Sequence, residues 1–178
     1  MSTIELKNGN KAIIRRAVVE DAEQLLTLSQ SIIEEGNYMV TSPGELNITV
    51  DEEKQWIGEH IDSPGFAIFV AEIDTKIVGF INFQNGSRKN IEHSGSFGMS
   101  VEKYTRELGI GQSLIRVLLE WAQNNSLIEK VGLSVFADNH RAIQIYKKFG
   151  FEVEGRRKKE IKKSDGQYID DILMYRFV

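Results

Sequence analysis

The chain has 178 residues, 41% hydrophobic and 27% charged, a composition that excludes a disordered chain and suits one domain over residues 1–178. A formal net charge of -4 argues against nucleic acid as a partner, and no apolar run approaches the ~20 residues of a membrane span. The absence of cysteine removes disulfides, thiolate metal sites and a cysteine nucleophile together, and the three histidines, His60, His93 and His140, lack metal-ligand spacing.

The N-terminal MSTIELKNGNK has no signal-peptide core, so a cytoplasmic location is expected. KAIIRRA, Lys11 to Ala17, reads as a first strand. The next segment puts Ala22, Leu25, Leu26, Ser29, Ile32 and Ile33 on one helical face, with Glu20 and Asp21 at the end where the helix dipole favours acids. Gly36 to Asn47 reads as a loop, and Thr49 with Glu52 has the spacing of a capping box that opens a short helix. Two strands follow, Phe66–Ile73 and Lys76–Gln84, joined by a hairpin turn at Asp74-Thr75. A third strand, Ser94–Val101, precedes RELGIGQSLIRVLLEWA, Arg106 to Ala122. There Leu114, Ile115, Leu118, Leu119 and Ala122 share a helical face that Val117 and Trp121 widen. Lys130–Ala137 reads as a buried strand, and Asn139–Gly150 as a helix with Ala142, Ile143, Tyr146 and Phe149 on one side. The remainder reads as two strands turned at Asp165-Gly166. The order β-α-α-β-β-β-α-β-α-β-β predicts an α+β (α/β-like) fold with a mixed, mostly antiparallel sheet. Strand, helix and strand around Gly109 form the one place where a parallel crossover fits.

Gly109 and Gly111 stand directly before a long apolar helix, although glycine costs about 1 kcal/mol inside a helix. A helix N-terminus carries unpaired N–H groups and partial positive charge, so it binds anions, and glycines there remove the side chains that would hold a phosphate away. Arg106 adds positive charge three residues upstream. Arg106–Gly111 thus reads as a pyrophosphate cradle, and equally, on its own, as a strand-to-helix turn without a ligand. It lacks the GK[ST] of a Walker loop and the third glycine of the Rossmann fingerprint.

The segment NHRAIQIYKKFGF changes the balance. RxxGxG opening a helix, followed 28 residues later by Asn139 and then Ala142, Tyr146, Gly150 and Phe151, resembles the GNAT superfamily of acyl-CoA-dependent N-acyltransferases. Ser96–Val101 is similar to the family's strand leading into that loop, and DGQYIDDILMYRF to its closing strand. The resemblance spans nearly the whole chain and implies a central sheet with helices on both faces. It implies acetyl-CoA as acyl donor, with pyrophosphate on the main chain near Leu108, Gly109, Ile110, Gly111 and Gln112 beside Arg106. The pantetheine arm would then pair with Met99, Ser100 and Val101 as an added strand. Asn139 would hydrogen-bond that arm, or serve as an N-cap, and Tyr146 would be the general acid for the leaving thiolate.

An alkylammonium acceptor must lose a proton before it attacks. Glu92 and His93, just before the third strand, and Glu72 on another are the candidate bases. From Glu34 to Asp62 eight acids stand against Lys54 alone, an acidic wall that suits a small polycationic amine or is merely a solvated face. RRKKEIKK, Arg156 to Lys163, reads as an edge strand protected by lysines. The resemblance implies an N-acetyltransferase acting on a primary amine by direct attack. The alternatives are a protein N-terminal acetyltransferase, as in relatives that modify ribosomal proteins, and a non-catalytic acyl-CoA-binding module. The partner is thus a small-molecule amine or a peptide N-terminus, and the family resemblance adds a homodimer for which the sequence marks no interface.

Overall fold

Eight strands form one sheet in the computed structural model, which describes residues 2–178. In chain order the elements are β1 (Ser2–Glu5), β2 (Lys11–Arg16), α1 (Ala22–Glu34), α2 (Val50–His60), β3 (Phe66–Ile73) and β4 (Lys76–Asn85). They continue with β5 (Ser94–Val101), α3 (Ile110–Gln123), β6 (Lys130–Phe136), α4 (His140–Lys148), β7 (Glu152–Lys162) and β8 (Tyr168–Phe177). The sheet order is β1-β2-β3-β4-β5-β6-β8-β7. Among the described residues only β5 and β6 run parallel, and α3 makes that crossover. The element order expected from the sequence is present, with β1 added. Strand β1 carries no apolar alternation, because three of its four residues are exposed and main-chain pairing to β2 holds it.

The central strands show why the fold is layered. FAIFVAEI lacks polar alternation because both faces of β3 are covered. Ala67, Phe69 and Ala71 join the core beneath α3 and α4, while Phe66, Ile68 and Val70 join the core beneath α1 and α2. The face of α3 read from its spacing is buried, with Leu114, Ile115 and Leu118 fully enclosed. Strand β7 is an edge strand, largely exposed and interrupted by register shifts, which suits its lysines. Among the described residues no helix is long and apolar enough to cross a membrane.

The β3–β4 hairpin stores strain. Asp74 and Thr75 both adopt positive φ, +47° and +67°, as a two-residue turn of this hand requires. A β-branched residue is disfavoured there. Thr75→Gly is expected to raise stability by about 1 kcal/mol, read as a shifted denaturant midpoint at constant slope. A lowered midpoint would show that the threonine is held by more than its backbone.

Beside this hairpin, Arg15 of β2 bridges two acids. Its guanidinium donates to both Asp21 oxygens (2.7 and 2.8 Å) and to Glu72 (2.8 and 3.0 Å). Asp21 also accepts from the Val18 N–H at 2.8 Å. This cluster ties the start of α1 to β2 and β3.

Candidate active site

Strands β5 and β6 pair across only three residue pairs, from Ser94↔Lys130 to Ser96↔Gly132, and then part. Beyond that point β5 stays with β4 as far as Val101, and β6 stays with β8. Two features lie beside the gap. Val78 is an extra residue in β4, since Ala71 pairs with Gly79 and Glu72 with Ile77, and such a bulge bends its strand. Phe97, the first residue past the pairing, packs its ring on Tyr146 and Phe151, each at 5.7 Å, and this trio fills the foot of the V.

The main chain of β5 is therefore open toward the gap. The Glu102 N–H donates to the Val78 carbonyl at 2.8 Å, so even-numbered residues here face β4. By the alternation of an antiparallel ladder, Phe97, Met99 and Val101 direct N–H and C=O into the V. The Val101 carbonyl accepts from Arg106 Nε at 2.9 Å.

Helix α3 starts at the mouth of this V. Its cap, Gly109, has φ +102° and supplies no side-chain bond, and the first turn holds no acid. The N–H groups of Ile110, Gly111 and Gln112 thus face outward under the full helix dipole. A Cβ on Gly111 would lie 3.5 Å from Met99 Cε and 3.8 Å from Val101 Cγ2, so the missing side chain leaves room against β5. Gly109 is needed for its conformation, while at Gly111 a Cβ would only reach ordinary contact with β5 and a longer side chain would enter the cleft.

These elements enclose a cleft of about 780 Å³. It gathers Met99, Ser100 and Val101 from β5, Arg106, Gly109, Gly111 and Gln112 from the loop and α3, and Asn139 and Tyr146 from α4. Leu108 and Ile110 turn inward. Leu108 packs on the core and its carbonyl accepts from the Lys7 N–H at 3.2 Å, while Ile110 is buried.

Several expected roles take a different form. The Arg106 guanidinium is engaged with both oxygens of Glu35 (2.7 and 3.0 Å), so it clamps the end of β5 to α1 rather than reaching outward. Arg141, which the sequence reading passed over, lines the cleft and pairs with Glu107 at 2.8 Å. Glu107 has φ +72°, a strained conformation for a residue with a side chain. Asn139 caps α4, accepting from the Ala142 N–H at 3.2 Å, and its amide NH2 is left to donate. Burial pushes the Tyr146 hydroxyl up to about 12, so it keeps its proton at any ordinary pH.

The candidate bases are not brought to the cleft. Glu92 and His93 sit where β5 and β6 are still joined, and their carbonyls accept from the Asn85 side chain and from the Glu129 and Lys130 N–H groups. Six residues of extended chain, about 20 Å, separate His93 from Met99. Glu72 is bound to Arg15. The acids counted from Glu34 to Asp62 do not act as one wall: only Glu52 and Glu53 line a cavity. Glu35 holds Arg106, Glu45 accepts from the Ser42 N–H, Glu59 accepts from Gln55, and Asp51 is fully in solvent.

A second cavity of about 510 Å³ lies beside the cleft, between α1, α2, β3 and β4. Phe80 and Asn82 of β4 line both cavities, so the two adjoin on the face of the sheet that α1 and α2 cover. Nothing in the spacing of α2 marks this pocket, because it depends on how two helices cross a sheet.

Residues 33–151, about two thirds of the chain, match the acetyltransferase (GNAT) family. The chain is 33% identical over 131 residues to the L-amino acid N-acetyltransferase AaaT of Escherichia coli, covering 74% of this chain and 80% of that protein. An N-alpha-acetyltransferase of Sulfurisphaera tokodaii is 28% identical over 160 residues, 85% of this chain and 87% of its own length. The crystal structure of a GNAT-family acetyltransferase from Streptococcus pneumoniae superposes with a TM-score of 0.89 at 26% identity, covering 94% of this chain and 99% of that one. With its parted parallel strands and its uncapped glycine helix start, the chain belongs to the acetyltransferase (GNAT) family.

Proposed function

We propose that the protein moves the acetyl group of acetyl-CoA to a primary amine by direct attack, with both substrates bound together. The observation that carries this reading is the meeting of two unsatisfied main-chain surfaces in one cleft: the open edge of β5 and the uncapped start of α3. An amide-bearing arm that ends in a pyrophosphate matches both. The relatives named above support an amine acceptor, since one acts on L-amino acids and the other on N-alpha groups.

Acetyl-CoA supplies an acetyl thioester. The N–H groups at the start of α3 take its phosphates. Met99 offers its N–H to the thioester oxygen, where negative charge develops. The amide NH2 of Asn139 donates to the pantetheine arm. Tyr146 offers its hydroxyl to the sulfur. Proton transfer from a phenol near 12 to a thiolate whose ordinary value is about 8.5 is uphill by about 5 kcal/mol. Tyr146 therefore stabilises the departing thiolate by a hydrogen bond and retains its proton. A route through an acyl-cysteine is excluded because the chain has none.

Initial rates of thiol release at crossed concentrations of acetyl-CoA and amine test the direct route. Intersecting double-reciprocal lines are expected, and parallel lines would contradict it. Gly111→Leu fills the space against Met99 and is expected to weaken acetyl-CoA binding by about tenfold or more, measured by calorimetry. Unchanged affinity would place the ligand elsewhere.

A further inference from the structure

The cavity between α1 and α2 shares Phe80 and Asn82 with the cleft, and so adjoins the place where the thioester would lie. Leu25, Ile48, Trp56, Ile68 and Phe80 form the apolar part of its wall, and Ser29, Asn47 and Asn82 are its uncharged polar groups. Its only charged side chains are Glu52 and Glu53; among the described residues no Lys, Arg or His lines it.

The two acids are in different states. Glu52 closes the capping box of α2. One of its oxygens accepts from the Thr49 N–H and hydroxyl, both at 2.8 Å, and those bonds hold its carboxyl below the usual range. The Glu53 N–H donates to the Thr49 carbonyl at 3.0 Å, but its side chain makes no hydrogen bond or ion pair with any described residue, and burial raises its carboxyl. A carboxylate held by hydrogen bonds stays an anion, whereas one raised by burial is better matched to accepting a proton.

We infer that the acceptor is a primary amine with an apolar body and no carboxylate, and that Glu53 takes the proton from its ammonium group. The inference rests on the acetyltransferase reading. Glu53 accepts one proton from the ammonium. The freed nitrogen lone pair forms the C–N bond to the acetyl carbon, and the C–S bond breaks with its electron pair on sulfur. The second nitrogen proton neutralises that sulfur. The sum is an amide, a free thiol and one proton passed from Glu53 to solvent. An α-carboxylate on the acceptor would meet two acids and no cation. The second ammonium of a polyamine would lose hydration where it lies against Trp56 and Ile68.

The test is thiol release from acetyl-CoA with 2-phenylethylamine, L-phenylalaninamide, L-phenylalanine and spermidine. The first two are expected to exceed L-phenylalanine in kcat/KM by about 100-fold, and spermidine by about tenfold, on like-charge and desolvation grounds. L-Phenylalanine or spermidine equal to or better than the first two overturns the inference and leaves the acetyltransferase reading standing. Turnover of none of the four also overturns it, and calorimetry with acetyl-CoA then shows whether the donor site fails with it. Glu53→Gln tests the base, with a thermal melt to confirm the fold. Its kcat for 2-phenylethylamine is expected to fall about 100-fold with KM changed less than about threefold, and the acidic limb of the rate profile to disappear. An unchanged kcat or a surviving acidic limb overturns the assignment.

Discussion

Tyr146→Phe is expected to lower turnover by about 10²–10³-fold while acetyl-CoA affinity stays within about twofold. The substitution removes one oxygen and keeps the ring. The ring is structural: it packs edge-on against Phe97 at 5.7 Å and Phe151 at 6.1 Å, where β5 and β6 part. The V should therefore survive, and with it the surfaces that hold the ligand. What is lost is the hydrogen bond to the departing sulfur, in a setting where burial has already pushed the hydroxyl up to about 12. A fall in kcat with unchanged acetyl-CoA binding separates this role from packing. Unchanged turnover would leave Tyr146 as a wedge and nothing more.

Arg15→Met is expected to cost about 3–5 kcal/mol of stability, because it leaves two enclosed carboxylates without their cation. The side chains of Asp21 and Glu72 are only 7% and 17% exposed. Burial raises the Asp21 carboxyl, but the Arg15 fork and the Val18 N–H outweigh it and hold the group below its ordinary value. A carboxyl lowered in the folded state contributes stability above its unfolded value, about 3.8, and loses that contribution as pH falls through the folded value. The gap between wild type and Arg15→Met should therefore be widest near neutral pH and narrow at about pH 3. Urea denaturation at both values measures it. A gap independent of pH would show that Arg15 acts through its apolar stem. Adding Asp21→Asn to Arg15→Met should recover part of the loss by removing a stranded charge.

Much of this architecture was legible before any coordinates. The helical spacing from Leu114 to Ala122 and the continuous apolar run of β3 reflect burial that a sequence must satisfy locally. The capping box at Thr49 and the turn at Asp74-Thr75 are short-range chemistry and stand where their residues imply. Strand β1 was not legible, since an edge strand held by main-chain pairing needs no apolar signature. In the site, the residues of β5, the glycine loop, Asn139 and Tyr146 meet in one cleft because they are carried by consecutive elements. What spacing cannot show is pairing between distant charges. Arg106 is 71 positions from Glu35, and that contact decides where its guanidinium points. Glu92 and His93 have suitable chemistry at the wrong end of their strand, while Glu53 reads in sequence as one more acid in a helical first turn.

The account turns on acetyl passing straight from thioester to amine. The most direct measurement follows isotope-labelled acetyl from acetyl-CoA, with and without 2-phenylethylamine. The label should appear on the amine when both are present, and none should remain on the protein when the amine is withheld. Label retained on the protein, or none reaching any primary amine, would contradict it.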